Sequence, residues 1–177
     1  TELAALHADL GVLAVLGNHD YWVDPVAVTE GLRSAGIRVL VNNGVELLTS
    51  AGPLYVAGLD DAWNGRPDLT QAMAAHRVGV PAILLQHEPD PAGERADDER
   101  LTLQLAGHTH GGQVRLPGIG AIVLPPYGKR YAAGLYELGR SRLYVTRGIG
   151  VTAPPVRLNC LPEVTLVMLS PESEHAE

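Results

Sequence analysis

The side chains best able to do chemistry in this sequence are histidines placed where apolar runs end. Of seven histidines, four stand at or just beyond such an end: His19, His87, His108 and His110. Packing of a core does not put polar rings there. Polar groups at the carboxyl ends of buried strands converge on one rim of a sheet, where α/β proteins hold their ligands. Neutral imidazole is a ligand for Zn, Mn and Fe. In Gly107-His108-Thr109-His110-Gly111-Gly112, an extended backbone points His108 and His110 the same way and Thr109 the other way. The flanking glycines let the chain turn sharply and approach closely.

Gly17-Asn18-His19-Asp20 forms a second group. Asn18 offers a neutral carbonyl oxygen suited to a hard or borderline cation. His19 can protonate a leaving group, and Asp20 can orient that ring. The same residue types also make an ordinary turn. His87, in Gln86-His87-Glu88-Pro89-Asp90, reads by itself as a surface histidine at a strand end.

These groups need strands to position them. Residues 10–16 are a continuous apolar run, which suits a strand buried on both faces. Residues 81–86 form a similar run that leads into His87, and residues 101–106 lead into Gly107-His108. Leu3, Leu6 and Leu10 stand at helical spacing, so residues 1–9 read as the end of a helix. Asp24-Pro25 starts a helix that Gly36 ends. Asn42-Asn43-Gly44 is a hairpin signal between residues 37–41 and 45–48. Residues 54–59 read as a strand and 67–77 as a helix. Residues 88–100 read as a solvated loop with a short helix, and 111–134 as a long ordered loop. Residues 143–146 and 164–169 read as late strands. The pattern is α/β, with mixed sheets covered by helices. Residues 1–169 form one domain and residues 170–177 a disordered acidic tail.

Composition narrows the function. The chain has 177 residues, 46% of them hydrophobic and 19% charged, which excludes bulk disorder. Thirteen basic against twenty acidic residues give a net charge of −7, so no nucleic-acid partner is expected without a local basic patch. Cys160 is the single cysteine; it reads as a buried filler, and no thiolate zinc site can form. Gly148-Ile-Gly150-Val-Thr-Ala153 fits the dinucleotide pattern, but Pro154-Pro155 blocks the helix that must receive a pyrophosphate. A zinc deaminase needs paired cysteines, and serine hydrolysis lacks its Gly-x-Ser-x-Gly elbow.

Taken in order, Gly17-Asn18-His19-Asp20, the strand-end His87 and Gly107-His108-Thr109-His110 resemble the calcineurin-like metallophosphoesterase superfamily. Val15-Leu-Gly-Asn-His-Asp-Tyr-Trp22, Gly58-Leu-Asp-Asp-Ala-Trp63, Leu124-Pro-Pro-Tyr-Gly128 and Arg147-Gly-Ile-Gly150 resemble its YkuE/YaeI-like branch. The resemblance implies an α-β-β-α fold, two sheets in a sandwich flanked by helices. It implies that Asn18, His87 and His108 hold one metal, that His110 holds another, and that His19 is the acid, assisted by Asp20. The intact protein would use two divalent ions (Mn, Fe or Zn) to activate a hydroxide against a phosphodiester or diphosphate. Two further family blocks, Asp-x-His and Gly-Asp-x-x-Asp, do not precede Asn18. The chain is therefore expected to be an amino-terminally truncated fragment that lacks the first strands, holds at most one ion and is nearly inactive. The resemblance points to a phosphorylated small molecule or a lipid-linked phosphodiester as substrate, and leaves room for membrane association through the missing segment. Arg115, Lys129, Arg130, Arg147 and Arg157 are candidate phosphate contacts, each also readable as a solvated surface charge. The rival reading is a non-catalytic remnant of that fold that binds a metal or a partner.

Overall fold

Short strands, helices and long irregular loops make up the computed structural model, which describes residues 2–170. In chain order the elements are β1 (Val12–Ala14), α1 (Asn18–Val23), α2 (Pro25–Ser34), β2 (Ile37–Val39), β3 (Asn43–Thr49), β4 (Gly52–Gly58), α3 (Leu69–Ala72), β5 (Ala82–Leu85), β6 (Leu101–Ala106), β7 (Arg115–Leu116), β8 (Gly120–Ala121), β9 (Gly134–Leu138) and β10 (Ser141–Val145). Six strands form one mixed sheet in the order β3-β4-β5-β6-β10-β9. Its middle four, β4, β5, β6 and β10, are mutually parallel, so their carboxyl ends share one edge. That edge carries Asp60, His87, His108 and Arg147. β1 and β2 pair in parallel as a separate two-stranded sheet.

The core lies against the six-stranded sheet. Tyr55, Ala57, Leu59, Met73 and Leu84 pack in one cluster, and Ala106, Tyr131, Leu138, Leu143 and Val145 in another. The two sheets meet at Gly58, where a Cβ would stand 2.3 Å from Leu40 Cβ and 2.8 Å from Val15 Cγ1. Only glycine permits that approach.

Asp24 caps α2 as its sequence requires: the carboxylate accepts from the N–H groups of Val26 and Ala27 at 2.9 and 3.0 Å. Gly36 ends the helix with φ +82°. Several expected elements differ. Asn42-Asn43-Gly44 makes no hairpin, since β2 pairs with β1 and β3 with β4. Asn42 instead ties the crossover down: its Oδ1 accepts from the N–H groups of Asp60 and Asp68, and its Nδ2 donates to the Arg66 carbonyl. β1 is shorter than its apolar run and only half-buried, because among the described residues β2 alone pairs with it. The helix expected over 67–77 is regular only at α3. Beyond it the bonds tighten to the third residue back, Ala74 to Gln71 and His76 to Met73. Near the amino terminus only one 3₁₀ turn forms, Glu2–Ala5, and Leu3, Leu6 and Leu10 are exposed.

Residues 164–169 form no strand. Both edges of β10, the strand beside Glu163, are already taken, by β6 and β9. Glu163 is held instead at the sheet's rim by Tyr144 Oη at 2.7 Å and Arg147 Nε at 2.7 Å. Burial alone would raise the Glu163 carboxyl, but the bonds from Tyr144, Arg147 and Thr165 lower it to about 2. Of the acidic tail expected over 170–177, Ser170 is exposed and 171–177 lie outside the described residues. No helix among the described residues is long and apolar enough to cross a membrane.

Gly58→Ala tests the contact between the sheets. The added methyl must displace Leu40 and Val15, so a loss of about 1–3 kcal/mol is expected from denaturant unfolding. An unchanged midpoint would contradict a close approach there.

Candidate metal centre

α1 begins directly after β1, and its first residue is Asn18, 2% exposed. The Gly17 N–H donates to the Asp20 carboxylate at 2.8 Å, which fixes the turn from strand to helix. That contact corrects the expectation for Asp20. Its carboxylate reaches back to the helix start, and no hydrogen bond joins it to His19 among the described residues. The exposed His19 stacks at 4.5 Å, centroid to centroid, on Trp22.

β5 and β6 deliver the other rings. The Gly107 N–H bonds to the His87 carbonyl at 3.0 Å, so the ladder continues one residue past β5 and places His87 beside the loop after β6. His87 Nε2 is 3.0 Å from Asn18 Oδ1 and 3.1 Å from His108 Nδ1. His108 Nε2 is 2.8 Å from the Pro126 carbonyl. A carbonyl only accepts, so Nε2 carries the proton and Nδ1 presents a lone pair. Gly17 makes room for His87, since a Cβ there would lie 2.6 Å from its Nδ1.

The backbone route to His108 and His110 is not extended. His108 has φ +65° and His110 φ +52°, while Thr109 between them has φ −73°. Both rings still line one cleft of about 620 Å³ together with Asn18, His19 and His87. Thr109 is buried and donates to the Ala132 carbonyl at 2.6 Å. Left-handed backbone is costly without glycine, and from His110 it runs on through Gly111, Gly112 and Gln113, at φ +63°, +80° and +56°. His110 Nδ1 is buried with no partner.

Electrostatics leave these rings uncharged. Burial, and then the neighbouring His108, lowers His87 to about 4. Burial also lowers His108 and His110. At neutral pH three neutral imidazoles and one amide oxygen therefore face the cleft. Two ligands ~2.1 Å from one ion at right angles stand ~3.0 Å apart, and the two contacts at His87 have that spacing. The donor set fits a divalent transition ion.

Four features lay beyond the sequence reading. The first is a buried acid pair beneath His87. Glu88 and Asp61 are 1% and 0% exposed, although residues 88–100 read as solvated. Glu88 Oε2 accepts from the Ala62 N–H at 2.9 Å, and Asp61 Oδ1 accepts from the N–H groups of Trp63 and Asn64 at 3.1 and 2.5 Å. Burial, and then Asp61, raises Glu88 to about 8. Burial opposes ionisation of Asp61, but bonds from Glu88 and Asn64 lower it. The pair thus holds one proton, on Glu88. Ligand atoms of His87, Glu88 and His108 lie within 4.8 Å of one another, yet the Glu88 carboxyl is engaged with Asp61 and Ala62.

The second feature is Arg157. Its guanidinium donates to the carbonyls of His110, Cys160, Arg147, Gly148 and Gly150. The third is Gln113, whose amide donates to the Thr152 and Pro154 carbonyls and accepts from the Thr152 N–H. Together they bind the cleft's far wall to the His110 loop. Arg157 is thus an internal clamp and not a phosphate contact. None of Arg115, Lys129, Arg130, Arg147 and Arg157 lines the cleft. Cys160 is 1% exposed, with Sγ 3.2 Å from the His110 carbonyl, as a filler would be. The fourth is a tryptophan pair, Trp22 and Trp63, on the cleft's rim.

Curated relatives match most of the chain. It is 41% identical over 169 residues to "Uncharacterized metallophosphoesterase YkuE" of Bacillus subtilis, an alignment covering 94% of this chain and 59% of that protein. It is 40% identical over 159 residues to "Phosphodiesterase YaeI" of Escherichia coli, covering 88% and 57%. An "Uncharacterized metallophosphoesterase" of Aquifex aeolicus is 34% identical over 174 residues, covering 94% and 64%. The chain therefore spans about three-fifths of the length of these relatives. No family model and no solved structure matches it.

The acid pair gives a signed pH dependence. Glu88 is protonated in the fold and ionised when unfolded between about 4.5 and about 8, so its contribution is present below 4.5 and lost as pH rises to 8. Glu88→Gln keeps a neutral group there. Relative to the unaltered metal-free chain, its melting temperature is expected to gain on going from pH 5 to pH 8. The opposite trend would contradict a protonated Glu88.

Proposed function

This chain belongs to the metallophosphoesterase family, in the branch of YkuE and YaeI, and on that premise we propose that its cleft is the metal-binding half of a phosphoester hydrolase site. One observation carries the proposal: Asn18 Oδ1, His87 Nε2 and His108 Nδ1 stand in sequence at 3.0 and 3.1 Å, with both rings kept neutral by burial. In this reading those three hold one divalent ion, Mn, Fe or Zn, and His110 faces the place of a second. The family's two-sheet sandwich is the proposed setting, with the β1–β2 pair as part of the second sheet.

A bound divalent ion supplies charge stabilisation to a phosphate and a water acidic enough to react near neutral pH. The chain's own residues do the rest. Asn18 and the imidazoles orient the phosphate by holding that charge in place. Pro126 fixes the tautomer of His108. His19, exposed at the mouth, gives its proton to the departing oxygen, which would otherwise leave as a poor anionic group. With no arginine or lysine among the described residues that line the cleft, phosphate recognition falls to the metal site. The donors in hand are all neutral, so the chain by itself is expected to hold one ion and to turn over slowly. The substrate class we propose is a phosphodiester or diphosphate.

Release of phenol from diphenyl phosphate with Mn²⁺, using stoichiometric protein so that slow turnover is measurable, tests this reading, because phenolate is a poor enough leaving group to need an acid. His19→Ala is expected to lower the rate by ~10²–10⁴-fold at unchanged metal content. Equal rates for the two proteins would contradict it.

A further inference from the structure

Two tryptophans, the chain's full complement, stand exposed on the rim of the histidine cleft. Trp22 is 56% exposed and Trp63 38%. Their rings meet edge to face, with centroids 5.5 Å apart and planes at 80°. Each touches a histidine of the site: His19 lies 4.5 Å from Trp22, and His108 lies 6.1 Å from Trp63, centroid to centroid. Indole rings left this open do not stabilise a core.

Yet the backbone beneath them is held firmly. Asp61 accepts from the Trp63 and Asn64 N–H groups, and Glu88 accepts from the Ala62 N–H. Asp60 bonds the Tyr21 hydroxyl and accepts from the Arg66 N–H. Asn64 Oδ1 accepts from Trp22 Nε1 at 3.3 Å. Three acidic side chains, one of them fully buried and another nearly so, thus fix two exposed rings. Rings fixed in advance lose little freedom when a partner stacks on them.

We propose that Trp22 and Trp63 form a subsite for a planar ring carried by the substrate, stacked on the indoles while its phosphate lies at the histidines. This assignment rests on the phosphoester reading. The position of the corner limits its occupant. A phosphate at His87 and His108 lies within one ring's reach of Trp63, whose centroid is 6.1 Å from that of His108. No lysine or arginine lines the cleft to draw an anionic group there. The opposite wall, with Ile122, Val123 and Val151, suits flexible apolar groups, whereas the perpendicular indoles present flat faces that favour aromatic rings.

Because only these two residues are tryptophan, the chain's indole emission reports on the corner alone. Non-hydrolysable phosphonates separate ring stacking from phosphate binding. The full chain with Mn²⁺ is titrated with phenylphosphonate, cyclohexylphosphonate and methylphosphonate, followed by calorimetry and by emission. Phenylphosphonate is expected to bind about tenfold more tightly than methylphosphonate, more tightly than cyclohexylphosphonate, and with a change in emission. Trp63→Ala is expected to bring phenyl within threefold of methyl while methyl affinity stays unchanged. Trp63→Phe, which keeps a flat ring, is expected to retain most of the preference. Equal binding of all three, equal binding of phenyl and cyclohexyl, or a phenyl preference that survives Trp22→Ala/Trp63→Ala would overturn this assignment alone. Failure of all three to bind would overturn it together with the phosphoester reading.

Discussion

The site depends on keeping imidazole rings unprotonated while they stand about one hydrogen bond apart. Two charged rings could not share the 3.1 Å between His87 Nε2 and His108 Nδ1. Burial removes that charge from His87, whose pKa falls to about 4, and the Pro126 carbonyl fixes the remaining proton of His108 on the far nitrogen. The lone pair left on Nδ1 is the one that a cation would use. Much of the surrounding structure serves this arrangement. Gly17 leaves space for the His87 ring, the ladder runs one residue past β5, and the acid pair of Glu88 and Asp61 packs beneath without placing a full second negative charge there.

The same economy explains the far wall. A loop with two left-handed histidines and two left-handed glycines is tied within itself by tight turn bonds, such as Gly112 to Thr109 and Gln113 to His110. Arg157 adds bonds from elsewhere in the chain by donating to five carbonyls, and Gln113 reaches out from the loop to Thr152 and Pro154. In this way the His110 loop is held by Arg157, which does not line the cleft, and by Gln113, which does. The tryptophan corner follows the same logic on the opposite side, with Asp60, Asp61 and Glu88 as its supports.

What the sequence disclosed about the site was largely local. Strand ends after apolar runs are visible as text, so His87 and His108 could be assigned to one rim of the sheet, and residues 82–85 and 101–106 form the strands expected there. The Asp24 cap and the Gly36 stop were equally legible, since each acts on its immediate neighbours. Contacts between distant segments were not legible. Asn42 resembles a hairpin residue until the N–H groups of Asp60 and Asp68 come to its side chain. Glu88 stands in a polar run, and only the fold shows that it is buried on Asp61. Asp20 resembles a partner for His19, but the helix start claims its carboxylate first. The extended reading of residues 108–110 put both rings on one side by the wrong route, because left-handed turns at both histidines bring them to the same cleft. The segment 164–169 has strand composition, but β10, the strand beside it, is already paired on both sides.

A cobalt titration of the full metal-free chain tests most directly whether the neutral cluster holds an ion. Visible absorption of Co²⁺ reports imidazole coordination without reference to turnover. One equivalent is expected to produce a saturating band, lost in His87→Ala and in His108→Ala and retained in Trp63→Ala. A band unaffected by either histidine substitution, or no band at all in the unaltered chain, would contradict the metal site on which the account rests.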